Sequence, residues 1–364
     1  MNITGSITGI KYKIILAHEL QKIELDAFNI NDSPSACVVI NDVNSFAISK
    51  WVSPKRTRSY PYERVYNTLL VSKKITVIPI VKDEGAKGDR DFIQWDTVSL
   101  MSLLDVFVVF AYYIDAEKLG EKISNQQFDN QYVLEKIKEI GQYHSSALHW
   151  NLNELNTGFY TLIDKVKDAY TDIENKTSIK LHNFVGLERF KTKIGKDVLT
   201  FMDFSRGKAK EAQSREFVTV QPKENLSTVS KGKITIKNYL GGQYFFTVDE
   251  IKISNNIVHL IESKHSKNSI LPSKGDIKDG LLKMILYANL SKVIVNDIEF
   301  ESEAILNLTS NTLVNGITSG NSESEINDFF LTNNFSENQM SFIKNLFEEA
   351  NENNFVVSIN ESKK

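Results

Sequence analysis

Residues 245–264 run Phe245-Phe-Thr-Val-Asp-Glu-Ile-Lys-Ile-Ser-Asn-Asn-Ile-Val-His-Leu-Ile-Glu-Ser-Lys264. Two runs rich in aromatic and β-branched residues flank Ser254-Asn255-Asn256, a turn-forming triplet, so the segment predicts a β-hairpin. The first arm carries Asp249 and Glu250, and the second ends in Glu262-Ser263-Lys264. Residues two apart on a strand share a face, so Glu262 and Lys264 project together. In a hairpin with this turn, Asp249 lies across from them. Two carboxylates and one ammonium then converge at one edge of a sheet. Parity does not decide between Asp249 and Glu250 as the converging acid, because the register is unknown at this stage. His259, inside an apolar arm, reads as a packed core residue.

That grouping suits hydrolysis of a phosphodiester. Two carboxylates can hold Mg²⁺, a hard cation that takes oxygen ligands and keeps several waters. The metal polarises phosphate and lowers the pKa of water. A lysine beside it can orient the attacking water and counter charge building on the phosphoryl oxygens. Three buried charges with no such task would be costly to keep.

The flanking segments extend the pattern. Lys233–Lys237 predicts a strand before the hairpin, Ile277–Leu290 an amphipathic helix after it, and Lys292–Val295 another strand. With these, Asp249…Glu262-Ser263-Lys264 resembles the PD-(D/E)XK nuclease superfamily over roughly residues 205–296. The resemblance implies a four-stranded mixed sheet flanked by helices, with Asp249 and Glu262 as metal ligands and Lys264 assisting attack. Val248 stands where the motif has proline, and Glu250 remains open as the first ligand. The family often adds a helical glutamate upstream. Glu216 and Glu211, on the basic segment Arg206–Phe217, are the candidates.

The chain has 364 residues, enough for two or three domains. The expected class is α/β (α+β): an N-terminal α/β region over 1–120, a helical connection over 121–195, and a nuclease domain over 196–364 that ends in an acidic tail. Strands are expected at Lys11–Leu16, Ala36–Ile40, Ile75–Val81 and Val106–Tyr113, and helices near Tyr62–Leu70 and Thr97–Leu104. The net charge of −3 hides two basic stretches, Lys50–Lys74 and Glu188–Lys237. In the first, Trp51–Arg64 mixes bases with aromatics, and Lys55, Arg56, Arg58 and Arg64 are candidate contacts to double-stranded DNA. Lys267, Lys274 and Lys278, after the hairpin, are further candidates, and Lys283 on the same helix could also reach DNA.

One cysteine excludes an internal disulfide and a cysteine-based zinc site. Absence of a signal-like N-terminus and of a spanning apolar run leads to the expectation of a cytoplasmic protein without membrane contact. The chain lacks a P-loop, GxGxxG, G-x-S-x-G and HExxH, so no nucleotide cofactor is expected. The size and the large region outside the nuclease segment resemble type II restriction endonucleases, which implies a homodimer. The alternatives are another nuclease of the superfamily, acting in repair, at junctions or in defence, and a DNA-binding protein with a degenerate nuclease fold.

Overall fold

The computed structural model describes residues 2–54, 61–194, 200, 201, 203, 205, 207, 230–241 and 243–362. They belong to two units, Met1–His18 with Ala209–Lys364, and Glu19–Lys208. In chain order, β1 (Asn2–Ile7) belongs to the first unit. The second unit holds β2 (Lys22–Glu24), β3 (Ala36–Ile40), β4 (Ser45–Lys50), α1 (Pro61–Thr68), β5 (Lys73–Pro79), β6 (Val81–Asp83), β7 (Arg90–Phe92), α2 (Trp95–Leu103), β8 (Val106–Ala111), β9 (Tyr113–Leu119), β10 (Lys122–Phe128), α3 (Asn130–Gly141), α4 (Ala147–Asn153), α5 (Phe159–Thr177) and α6 (Val185–Ile194). The first unit resumes with β11 (Ser230–Asn238), β12 (Gln243–Ser254), β13 (Ile257–Ser266), α7 (Lys274–Tyr287), β14 (Lys292–Val295), β15 (Ile298–Ser310), β16 (Gly316–Thr318), α8 (Glu323–Thr332), α9 (Glu337–Glu352) and β17 (Val356–Glu361). The class is mixed α/β.

The second unit is built on a sheet of order β2-β3-β4-β5-β8. Val106–Ala111 is an unbroken apolar run, and every residue of β8 is buried. This is the pattern of a strand covered on both faces, and α2, α3 and α4 all pack on it. The expected boundaries at 120 and 195 are corrected here. The apolar stripe Val133, Ile137 and Ile140 of α3 joins the same core as Val39, Ile75 and Val109. The helices are therefore part of this unit, not a connection, and 122–128 is a strand paired with β9.

In the first unit, sheet order is β13-β12-β11-β1-β14-β15-β17-β16, and an additional β13–β15 pairing closes six of these strands into a ring. The sheet is mixed, as expected, but larger than four strands. β13 and β15 run parallel, and α7 packs on both. The acidic tail is also corrected. It folds as α8, α9 and β17, with Ile343, Leu346, Val357 and Ile359 wholly buried, and β17 pairs in parallel with β15. The acids lie between periodic apolar positions that the composition of the segment concealed.

Lys11–Leu16, expected as a strand, has no sheet partner among the described residues. Side chains hold it instead. Asn289 accepts from Lys11 N at 2.8 Å and donates to Lys11 O at 3.1 Å. Asn353 does the same for Lys13 at 2.6 and 2.9 Å. Glu349, fully buried, accepts from Ile15 N at 2.9 Å, Leu16 N at 2.8 Å and the Tyr12 hydroxyl at 3.0 Å. Two amides and a carboxylate thus satisfy backbone groups that a neighbouring strand would otherwise satisfy. Among the described residues no helix is long and apolar enough to cross a membrane.

Hydrogen bonds to a charged group contribute about 1.5–3 kcal/mol, and orphaned buried donors add a penalty. Glu349→Ala is expected to lower stability by roughly 3 kcal/mol in urea unfolding, with Glu349→Gln losing clearly less. An unchanged midpoint for the alanine variant would show that the strap is held by something else.

Candidate functional site

The hairpin forms where the sequence places it. β12 and β13 are antiparallel in the register Glu250↔Ile261 through Ser254↔Ile257. Asn255 and Asn256 both have positive φ, 51° and 64°, the requirement of a tight two-residue hairpin turn that asparagine tolerates. On β13, Val258, Leu260 and Glu262 are buried at alternate positions, and Lys264 continues that face.

A bulge decides which acid joins them. From Ser230 to Gly232 on β11, the β12 partner moves from Ile251 to Val248, so two steps oppose three and β12 carries one extra residue. Val248 and Ile251 are consequently both buried, at 0% and 2% exposure. Glu250 is not brought to the site; it pairs with Lys252, two residues on, at 2.6 Å. Asp249 is the acid turned to the partner strand, where its Oδ2 accepts from Ser263 N at 3.0 Å. Bulges next to active sites commonly re-aim a side chain in this way.

Glu262 is the centre of the cluster. Only 2% of its side chain is exposed. Its Oε1 lies 3.0 Å from Lys264 Nζ and 2.8 Å from Lys283 Nζ. Lys264 Nζ is also 3.3 Å from Asp279 Oδ2. Lys283 and Asp279 both stand on α7. Asp279 had no sequence signal beyond its i,i+4 spacing with Lys283, which is common on solvated helices. Burial, and then the negative charge of Glu262, raise the Asp249 carboxyl above its ordinary value. Burial likewise raises Asp279, against the pull of Lys264 and Lys283. For Lys264, burial acts downward, but the charges of Glu262 and Asp279 outweigh it and the ammonium is held above its usual range.

Among the described residues, no group of three or more His, Cys, Asp or Glu side chains is placed to hold a metal ion. Two carboxylates are nonetheless enough for Mg²⁺, which usually binds through one or two and keeps several waters. The second Glu262 oxygen, Oε2, is buried and has no hydrogen-bond partner among the described residues. A bare carboxylate oxygen beside a second carboxylate fits a divalent cation held by Asp249 and Glu262.

The remaining candidates divide. Lys55, Arg56, Arg58, Glu211 and Glu216 lie outside the described residues. Arg64 is drawn into the fold and donates to Lys50 O at 2.7 Å, while Lys50 binds the carbonyls of Ile30, Asn31 and Ser33. Lys278, expected at a DNA surface, is instead buried at 4% exposure, with Nζ 2.9 Å from His18 Nδ1. Its place on α7 faces the interior, whereas Lys267 and Lys274 are exposed. His259 is no core residue. It bridges Ser254 Oγ at 2.9 Å and Glu303 Oε2 at 2.8 Å, on the Glu250 and Lys252 side of the sheet.

Compared with known proteins, the chain matches no protein-family model, no curated protein and no solved structure.

Because the Asp249 carboxyl sits above its ordinary value near 3.8, the native state holds that proton more tightly than the unfolded chain. Stability from this group is then complete below that value and is lost as pH rises through the native pKa. Asp249→Asn should therefore unfold at a higher temperature than the parent at pH 7 in EDTA. The gain should shrink to nothing near pH 4, as followed by thermal melts across pH. A variant less stable than the parent at pH 7 would contradict this account of the carboxyl.

Proposed function

We propose that the protein is a Mg²⁺-dependent nuclease of the PD-(D/E)XK type acting on double-stranded DNA. Within that class the reading is a sequence-specific endonuclease of the type II restriction kind, working as a homodimer without a nucleotide cofactor, in the cytoplasm. The observation that carries the proposal is the Glu262 carboxylate, buried with Oε1 on two lysines and Oε2 bare, next to Asp249 on the paired strand. The strand order supports it: β11, β12 and β13 form an antiparallel meander, α7 crosses over, and β15 returns parallel to β13. These four strands are a mixed portion of the eight-stranded sheet, with α7 packed on β13 and β15, and they carry Asp249 on β12 and Glu262 and Lys264 on β13.

Asp249 and Glu262 would hold the cation, which when bound supplies Lewis acidity at the scissile phosphate. Lys264 would donate to an attacking water or to a phosphoryl oxygen, and its ammonium would counter the negative charge that develops there. Its raised pKa keeps it protonated at neutral pH. Exposed Lys267 and Lys274, between β13 and the first turn of α7, suit contacts to the DNA backbone. Such contacts set position and not sequence.

One observation favours a second reading, a DNA-binding protein that does not cut. Lys283 already neutralises Glu262 at 2.8 Å, as a charge network without a metal would do. Supercoiled plasmid incubated with the protein and Mg²⁺ separates the two. Discrete linear bands are expected, and EDTA should abolish them. Glu262→Gln and Lys264→Met should each cut at least about 100-fold more slowly, the scale on which a lost charge-stabilising group acts, while still shifting DNA in a gel. A smear would point to a nuclease of looser specificity within the superfamily. DNA shifted but uncut by the parent protein would establish the second reading.

A further inference from the structure

We infer that Asp279 and Lys283 are positioning residues, a helix-borne clamp that sets the two working groups of the hairpin site; this rests on the nuclease reading above. The two residues stand four apart on α7, so they share one helical face. That face meets β13, and each residue takes a partner of opposite charge there. Lys283 Nζ is 2.8 Å from Glu262 Oε1, and Asp279 Oδ2 is 3.3 Å from Lys264 Nζ. The remaining link, Lys264 to Glu262, is 3.0 Å. Strand and helix are thus joined by an alternating chain of four charges.

Three consequences follow from that geometry. Lys283 anchors one oxygen of Glu262 and leaves Oε2 without a partner among the described residues, although a buried acceptor left so is destabilising. The carboxylate is therefore held with one oxygen fixed and the other presented. Asp279 divides the Lys264 ammonium between itself and Glu262, so the lysine is not closed onto the carboxylate alone. The clamp also adds one charge of each sign. It orients the site without altering the net charge that Asp249, Glu262 and Lys264 offer to a cation.

Gly280 makes the approach of α7 close enough. A Cβ there would come within 2.8 Å of Leu306 Cδ1 on β15 and 3.4 Å of Lys264 Cε. Asp279 is followed at once by a residue that lets the Lys264 stem and Leu306 lie against the helix backbone. Partners of this kind, one shell behind metal ligands, commonly govern about 10–100-fold of metal affinity or activity.

The test uses the full chain with Lys283→Met, Lys283→Arg and Asp279→Asn. Three quantities are read: Mn²⁺ affinity without DNA by calorimetry, plasmid cleavage as kcat and KM, and DNA affinity in EDTA by gel shift. Lys283→Met is expected to bind Mn²⁺ or turn over about 10–100-fold less well, with KM and DNA affinity within about 2-fold of the parent. Lys283→Arg should recover most of that loss because the anchoring cation is kept. Asp279→Asn should lower kcat about 10-fold with KM unchanged. Should the methionine variant fail to fold by circular dichroism, the arginine and asparagine variants carry the same comparison. If the parent cuts and binds Mn²⁺ but the variants match it, the clamp is wrong and the nuclease reading stands. A loss confined to KM would also overturn the clamp, since the residues would then serve DNA binding. If the parent neither binds Mn²⁺ nor cuts, the nuclease reading falls and takes the clamp with it.

Discussion

The buried carboxylate of Glu262 is the constraint around which the first unit is arranged. A carboxylate with 2% exposure cannot stay ionised without compensation. The structure compensates it from two directions, with Lys264 two residues along the same strand and Lys283 from the helix packed above. Each of those ammoniums must itself be brought out of water, which requires the close approach of α7 at Gly280 and the counter-charge of Asp279. The parallel return of β15 beside β13 supplies the apolar floor, through Leu306 and Leu308, on which the cluster rests.

This arrangement is expensive for a fold that needs only stability. Replacing buried ion networks with apolar side chains is often neutral or stabilising. Here Asp249 and Asp279 both sit above their ordinary carboxyl values, burial being the first cause in each. Perturbed carboxyls that each feel the charge of one buried carboxylate are the pattern expected where charge is kept for chemistry. Glu349 offers the contrast within the same unit. It is as deeply buried, but its oxygens accept hydrogen bonds from Tyr12, Ile15 and Leu16, and its role is to fasten the strap.

Much of the first unit was legible because the hairpin has local signals. The Asn-Asn turn, the two β-rich arms and the spacing of Glu262 and Lys264 each act over a few residues. The choice between Asp249 and Glu250 was not legible, because a one-residue bulge in the β11–β12 pairing sets it and no sequence signal marks that bulge. Asp279 was missed for a different reason: an acid and a lysine four apart on a helix look the same whether they face water or a buried strand. Lys278 shows the converse, since a lysine on an amphipathic helix looks the same in sequence whether its face turns to solvent or, as here, inward. The side-chain-held strap at Lys11–Leu16 depends on contacts 278 to 340 residues apart in sequence, and the folded acidic end depends on the pairing of β17 with β15, which local patterns do not carry.

The proposal is that Asp249 and Glu262 would together hold one divalent ion. Its most direct test is a crystal of the protein soaked in Mn²⁺, with anomalous scattering used to locate the ion. A single peak is expected within coordination distance of a carboxylate oxygen from each residue, with Lys264 and Lys283 still beside Glu262 Oε1. An ion bound elsewhere, or a full-occupancy water bridging these carboxylates with no anomalous signal, would contradict it.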